Sequence, residues 1–179
     1  MNFTKRTSLL SLSLVLLAAC GTPPPPVEPE PPVTPPTTVP DEQARAAFAE
    51  AYAAYEAAEA DGELGPQECA SVAEGFDAVH RSSGLQIARF NSAVIHERCG
   101  QLDEALVIYR ELAEQGYHLA LNNLGVIAWE QGDSGEALSL FQRSVEADEV
   151  AAFHARNNLA AAHRDRYANK LEAGDFATA

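Results

Sequence analysis

The chain has 179 residues, of which 26 are acidic and 12 are lysine or arginine, so its formal net charge is −14 at pH 7. An acidic surface repels nucleic acid phosphates and anionic lipid headgroups, which argues against a nucleic-acid-binding role. The length is sufficient for one ordinary domain flanked by terminal segments.

The N-terminal segment has the parts of an export signal. Lys5 and Arg6 precede an apolar stretch that runs from Leu9 to Ala19 and ends at Cys20. A basic start, a short apolar core and a small residue before the cleavage point predict a secretory signal peptide. A transmembrane helix needs roughly 20 apolar residues, and this stretch is too short for one.

The four residues Leu17-Ala18-Ala19-Cys20 resemble the lipobox of bacterial lipoproteins. The resemblance implies that residues 1–19 are removed and that Cys20 carries three acyl chains, which together anchor a protein firmly. Gly21 follows the cysteine instead of aspartate, which in this family implies the bacterial outer membrane, with the protein facing the periplasm. The alternative is an ordinary signal peptide with a chance cysteine.

A proline-rich segment follows the cysteine. Ten of the 11 prolines lie within residues 23–40, and Val27, Val33 and Val39 are the large apolar residues there. Such a composition cannot bury a core, so we predict that residues 20–40 form a lipidated cysteine and a disordered, polyproline-II-like spacer. The alternative, a ligand for small adaptor domains, is disfavoured because those modules are intracellular.

The remaining residues, 41–179, are rich in alanine and contain a single proline, Pro66, which suits a first helical turn. Apolar residues at helical spacing predict seven helices and an all-α domain. These helices are predicted over residues 42–60, 66–80, 85–99, 102–115, 118–131, 134–147 and 152–172.

An internal repeat runs through this domain. Residues 91–95 (Asn-Ser-Ala-Val-Ile) align without gaps with residues 123–127 (Asn-Leu-Gly-Val-Ile), 32 positions later. A third copy begins 35 positions further on, where residues 157–160 (Asn-Asn-Leu-Ala) echo residues 122–125. A period in the low thirties, with two helices per unit, predicts a helical solenoid.

The repeated positions resemble the tetratricopeptide repeat (TPR). The resemblance rests on the small first-helix residues, the turn glycines, the second-helix alanines and the aromatic residues that follow them: Ala93, Gly125 and Ala160; Gly100 and Gly132; Ala105 and Ala137; Tyr109 and Phe141. The tryptophan usual in the first helix is replaced by Arg89 or Leu121, and the proline usual between repeats is missing. The resemblance implies units over about 42–80, 85–115 and 118–147, and a partial unit over 152–179.

At its C-terminal end the chain again reads like a turn and the start of a second helix, over residues 172–177. Either the helix predicted over 152–172 caps the solenoid, or the chain is shorter than the fold from which it came.

In TPR proteins the first helices line a groove that binds peptides or helices. Asparagine side chains can donate to and accept from a peptide backbone, and Trp129 is a candidate anchor. Alternatively, the asparagines only belong to the repeat pattern. By register, the resemblance implies a partner-binding groove formed by Phe90, Asn91, Val94, Asn122, Asn123, Val126, Trp129, Asn157, Asn158 and Arg164, with Glu97 and His154 beside them.

Cys69 and Cys99 are the two cysteines besides Cys20. An even pair in an exported chain suggests a disulfide, and two buried thiols are the alternative. In the TPR arrangement these residues lie at meeting ends of neighbouring antiparallel helices, which favours the bond.

No catalytic motif is found: there is no phosphate-binding loop, Gly-x-Ser-x-Gly or His-Glu-x-x-His. His96 and His163 occupy equivalent repeat positions and are predicted to be structural, so neither a metal nor another cofactor is expected. We therefore predict a non-enzymatic adaptor that binds protein partners in an envelope complex of pilus, secretion or motility type, without a small-molecule substrate. The alternative is an envelope lipoprotein that acts on peptidoglycan or its enzymes.

Overall fold

The computed structural model describes residues 29–33, 41–60 and 64–172. The predicted signal peptide, the predicted lipidation site Cys20, most of the proline-rich segment and residues 173–179 lie outside the described residues.

The described part of the chain contains seven α-helices and no strand, which confirms the predicted all-α class. Six helices begin and end within one residue of their predicted bounds, and α2 ends three residues later than predicted. The helices are α1 (Glu42–Glu59), α2 (Pro66–Ser83), α3 (Gln86–Arg98), α4 (Leu102–Glu114), α5 (His118–Glu130), α6 (Ser134–Ala147) and α7 (Phe153–Glu172).

Aspartate side chains cap the starts of α1 and α6. The Asp41 carboxylate accepts from the backbone N–H of Gln43 at 2.8 Å, and the Asp133 carboxylate accepts from that of Glu136 at 3.0 Å. Each bond satisfies an N–H that has no partner within its helix. At α2, Pro66 fills the first turn, where its missing N–H costs nothing.

A glycine with a positive φ angle follows each of four consecutive helices. Gly84, Gly100, Gly116 and Gly132 have φ between 72° and 84°, and they recur every 16 residues. A residue with a Cβ is strained in this left-handed conformation, so glycine is favoured where the chain leaves a helix and turns at once. The 32-residue repeat seen in the sequence is thus built from two 16-residue helix-turn elements.

Each helix packs against the next one in the chain, and α7 also contacts α5. The core consists of three clusters. The first joins α1, α2 and α3 around Phe48 and Phe76, whose ring centroids are 5.6 Å apart. The second joins α3, α4 and α5 around Phe90 and Tyr109, and the third joins α4 to α7 around Phe141.

Cys69 and Cys99 form a disulfide, as predicted, with the sulfur atoms 2.03 Å and the Cα atoms 6.2 Å apart. Cys69 lies in the first turn of α2, and Cys99 follows the last residue of α3. The bond therefore links the first predicted unit to the second.

An ion-paired arginine stands where the resemblance expects tryptophan. The Arg89 guanidinium, on α3, donates to Asp77 of α2 at 2.9 Å and to Glu111 of α4 at 3.2 Å. It therefore connects the helices on either side of α3 by charge.

Candidate functional site

Residues 29–33 of the proline-rich segment lie against the helical domain. Glu30 and Pro32 are buried and Val33 is partly buried, while Pro29 and Pro31 are exposed. This differs from the detached spacer predicted from composition. The reason is that the segment is held through its backbone, which composition does not describe.

Two asparagines of the domain hold that backbone. The Glu30 N–H donates to Asn123 Oδ1 at 2.8 Å, and the Val33 N–H donates to Asn91 Oδ1 at 2.9 Å. Asn91 Nδ2 also donates to the Val33 carbonyl at 2.9 Å. Asn91 and Asn123 occupy equivalent repeat positions on α3 and α5 and are both fully buried. Equivalent residues of two successive units therefore bind the backbone of one short segment.

The segment is matched to this pair of acceptors. Proline has no backbone N–H, so among residues 29–33 only Glu30 and Val33 can donate, and both do so. These two residues are three positions apart. A polyproline-II strand has three residues per turn, so two such N–H groups lie on one side of it.

The Asn123 amide is oriented by a buried polar network. Its Nδ2 donates to the Tyr109 hydroxyl at 3.0 Å, and that hydroxyl donates to Glu97 Oε2 at 2.6 Å. Burial, and then the nearby Glu97 carboxylate, raise the pKa of Tyr109, so the hydroxyl keeps its proton. With Nδ2 engaged in this way, Oδ1 faces the segment and is ready to accept.

Two further asparagines extend the network. Asn122 Nδ2 donates to Asn123 Oδ1 at 3.3 Å, and Asn158 Nδ2, on α7, donates to Asn122 Oδ1 at 3.0 Å. Asn158 is the third residue equivalent to Asn91 and Asn123 in the repeat. The three predicted asparagines Asn122, Asn123 and Asn158 are therefore brought together in a buried chain of amides.

The Glu30 side chain faces His154 of α7, with Oε2 and Nε2 3.7 Å apart. Burial raises the pKa of the Glu30 carboxyl, and the attraction of His154 offsets part of that rise. Beside it, a cavity of about 370 Å³ is lined by Pro29, Glu30, Pro31, Val94, Glu97 and Arg98. We name the residues of the domain that surround the segment, Asn91, Val94, Glu97, Arg98, Asn123 and His154, the docking site.

The other predicted groove residues lie elsewhere. Phe90 and Val126 are buried in the core, and Trp129 is partly buried against the third core cluster. Asn157 and Arg164 are exposed on α7. A role for these five residues in partner binding stays a prediction.

The sequence analysis did not predict that residues 29–33 contact the domain or that Arg98 lies beside them. One signal was present in the sequence. Within residues 29–33 only Glu30 and Val33 have a backbone N–H, and their three-residue spacing matches the turn of a polyproline-II helix.

No group of three histidine, cysteine or carboxylate side chains within residues 29–33, 41–60 and 64–172 is placed to hold a metal ion. Among the helices described, none is long and apolar enough to cross a bilayer. In comparisons with known proteins, no family model, no curated protein and no solved structure matches the chain.

Proposed function

We propose that this protein is a non-enzymatic scaffold of the bacterial envelope, with a TPR-like solenoid that binds an extended peptide of a protein partner. The observation that carries the proposal is the pair of backbone contacts made by Asn91 and Asn123. Equivalent residues in consecutive units bind the main chain of one proline-rich segment, and such an arrangement suits peptide recognition.

Several features support the solenoid. Helices α3 to α6 begin at a constant 16-residue spacing, and the positive-φ glycines recur at the same spacing. Each helix packs on its neighbours in the chain, as in a stack of units. Gly125, at the predicted small-residue position, touches the ring of Phe141 at the predicted aromatic position.

The proposed location rests on the sequence. Cys20, behind a short apolar core and before Gly21, resembles an acylated outer-membrane lipoprotein cysteine. The Cys69–Cys99 disulfide is in keeping with export to an oxidising compartment. We propose attachment to the outer membrane, with the helical domain in the periplasm.

Capture of partners from detergent-solubilised envelopes tests the binding role. The wild-type chain is compared with Asn91→Asp, which keeps the side-chain volume but replaces the amide donor to the bound backbone with a carboxylate oxygen. Asn169→Asp makes the same chemical change at an exposed position of α7 outside the predicted groove and serves as the control. We expect a partner that Asn91→Asp loses and Asn169→Asp retains.

The identity of such a partner separates the proposed classes. Secretin, pilus or motility subunits support the adaptor, whereas cell-wall enzymes or peptidoglycan support the alternative envelope role. Equal capture by all three proteins would contradict binding through the docking site. Circular dichroism of each variant establishes that the helical domain is folded.

Metabolic labelling with a fatty acid tests the anchor. Cys20→Ser is expected to abolish labelling and to release the protein from membranes. Labelling that persists in Cys20→Ser contradicts the lipoprotein assignment without affecting the test of peptide binding.

A further inference from the structure

The docked segment has the character of a specific ligand. Both of its available N–H groups and the carbonyl of Val33 are bound by the domain. Its two non-proline side chains are also engaged. Glu30 faces His154, and Val33 packs against the core cluster that contains Phe90. The domain therefore contacts both the backbone and the side chains of this one short sequence.

The chain contains a near copy of this sequence that serves as a comparison. Residues 34–37 read Thr-Pro-Pro-Thr, next to Glu-Pro-Pro-Val at residues 30–33. Both stretches offer two N–H groups at a three-residue spacing, so the backbone contacts alone do not separate them. Only residues 30–33 supply an acid for His154 and a branched apolar side chain for the core.

We propose that residues 29–33 are an intramolecular ligand of the docking site. The partner peptide has the same chemistry, an acidic residue three positions before a branched apolar residue in a proline-rich strand, and it must displace the chain's own segment. This inference rests on the proposed peptide-binding function and names its ligand class and its regulation.

The short connection makes the internal ligand an effective competitor. Only residues 34–40 join Val33 to the residue that caps α1. Short linkers that span two sites give effective concentrations on the order of 1 mM. If the segment binds with a Kd of about 0.1 mM, a competing peptide binds about tenfold more weakly than it would to an open site.

Displacement also changes the reach of the membrane anchor. With the segment docked, eight residues separate Cys20 from Pro29. With it released, the whole proline-rich stretch up to residue 40 becomes available as a spacer. Partner binding and a longer tether are therefore coupled.

The test measures anisotropy of a labelled peptide with the sequence of residues 27–34, Val-Glu-Pro-Glu-Pro-Pro-Val-Thr. The receptor is the full mature chain with Cys20→Ser, which removes the lipid. In one variant, Glu30→Pro and Val33→Pro remove both docking donors of the internal segment. In the matched control, Thr34→Pro and Thr37→Pro add the same two prolines to the adjacent near copy. All four positions precede the first residue of α1 in the chain.

We expect the peptide to bind the Glu30→Pro, Val33→Pro chain about tenfold more tightly than it binds the Thr34→Pro, Thr37→Pro control chain or the chain with an unaltered linker. Equal affinities for all three chains overturn internal docking. Dimers seen by light scattering, together with affinities that depend on protein concentration, overturn it too, because the segment then docks on a second copy. A peptide that itself carries Glu30→Pro and Val33→Pro should not bind, and this control does not depend on folding.

A double-mutant cycle tests the ligand chemistry. In the chain with the internal segment released, His154→Ala should weaken binding of the peptide that carries Glu30 several-fold. The same substitution should leave the affinity for a Glu30→Gln peptide unchanged. Equal effects on both peptides would overturn the assigned contact.

The two proposals can fail separately. If the peptide does not bind the released chain, this inference is wrong, and partner capture that depends on Asn91 still supports the proposed function. If the competition holds but no partner depends on Asn91, the proposed function fails and the internal ligand stands.

Discussion

The ring of Phe141 lies directly against the backbone of Gly125, so that a Cβ on Gly125 would be 2.5 Å from Cε1 and 2.6 Å from Cδ1. Gly125 is in the middle of α5, and Phe141 is a fully buried residue of α6. A rigid ring in a packed core cannot yield by that amount without moving its neighbours. The approach of α5 to α6 therefore depends on the absence of a side chain at position 125.

We predict that Gly125→Ala destabilises the domain by about 1–3 kcal/mol, because overpacking outweighs the better helix propensity of alanine. Gly75→Ala is the control, since Gly75 also lies inside a helix but its Cβ would be 3.7 Å from the Cβ of Ala51. That variant should gain about 0.5–1 kcal/mol. Urea unfolding measures both changes, and a neutral Gly125→Ala would contradict the close contact.

The disulfide should contribute strongly to stability. Cys69 and Cys99 are separated by 30 residues, and closing a loop of that length stabilises by about 3.5 kcal/mol in the chain-entropy account. Reduction should lower the free energy of unfolding by an amount of that order. The Cys69→Ser, Cys99→Ser double variant should resemble the reduced protein and be insensitive to reductant. Two thiols that react in the unfolded, unreduced protein would contradict the bond.

Binding of the labelled peptide should depend on pH through Glu30. Burial raises the pKa of this carboxyl in the docked state, with His154 opposing, so docking takes up protons. Affinity should therefore be greatest below the pKa of the free carboxyl and should fall as pH rises through the docked pKa. Anisotropy titrations of the released chain from about pH 4 to about pH 8 measure this fall.

The Glu30→Gln peptide is the control for that dependence, and its affinity should change less with pH. Other charged or titratable groups lie near Glu30. His154 faces it, and Glu97 and Arg98 line the same cavity. The pKa of Tyr117 is raised by burial and, to a smaller extent, by the charge of Glu30. If the affinities of the two peptides change with pH in the same way, one of those groups causes the pH dependence and Glu30 does not.

Two buried serines should respond differently to removal of the hydroxyl. Ser144 Oγ donates to the His118 carbonyl at 2.7 Å, whereas Ser92 Oγ has no hydrogen-bond partner among the described residues. Ser144→Ala should cost about 1 kcal/mol, and Ser92→Ala should be neutral or slightly stabilising. Thermal unfolding of both variants compares them directly. A larger loss at position 92 than at position 144 would contradict these assignments.

Much of the fold was predictable because its signals are local. Apolar spacing and Pro66 located the helices, and the repeat located the turns at Gly100 and Gly132. The turns at Gly84 and Gly116 were not predicted as such, although they continue the same 16-residue spacing. The cysteine pairing followed from export together with the expected contact between neighbouring helices.

The site was predicted only in part. Register selected Asn91, Asn123 and Asn158, and the structure brings the last two together through Asn122. The same register also selected Phe90 and Val126, which the structure buries in the core. Side chains one or two positions apart on a helix point in very different directions. A small rotation of the helix therefore decides whether a side chain faces the groove or the core.

The sequence by itself determined the helices and the turns at Gly100 and Gly132, because these follow from neighbours along the chain and from one repeated pattern. It favoured the pairing of Cys69 with Cys99. Only the tertiary structure decided that Glu30 and Val33 bind the domain. Their partners, Asn123 and Asn91, lie 93 and 58 positions away. Two acceptors from different helices must be held at the spacing of one polyproline-II turn, and only the packing of α3 to α5 sets that spacing.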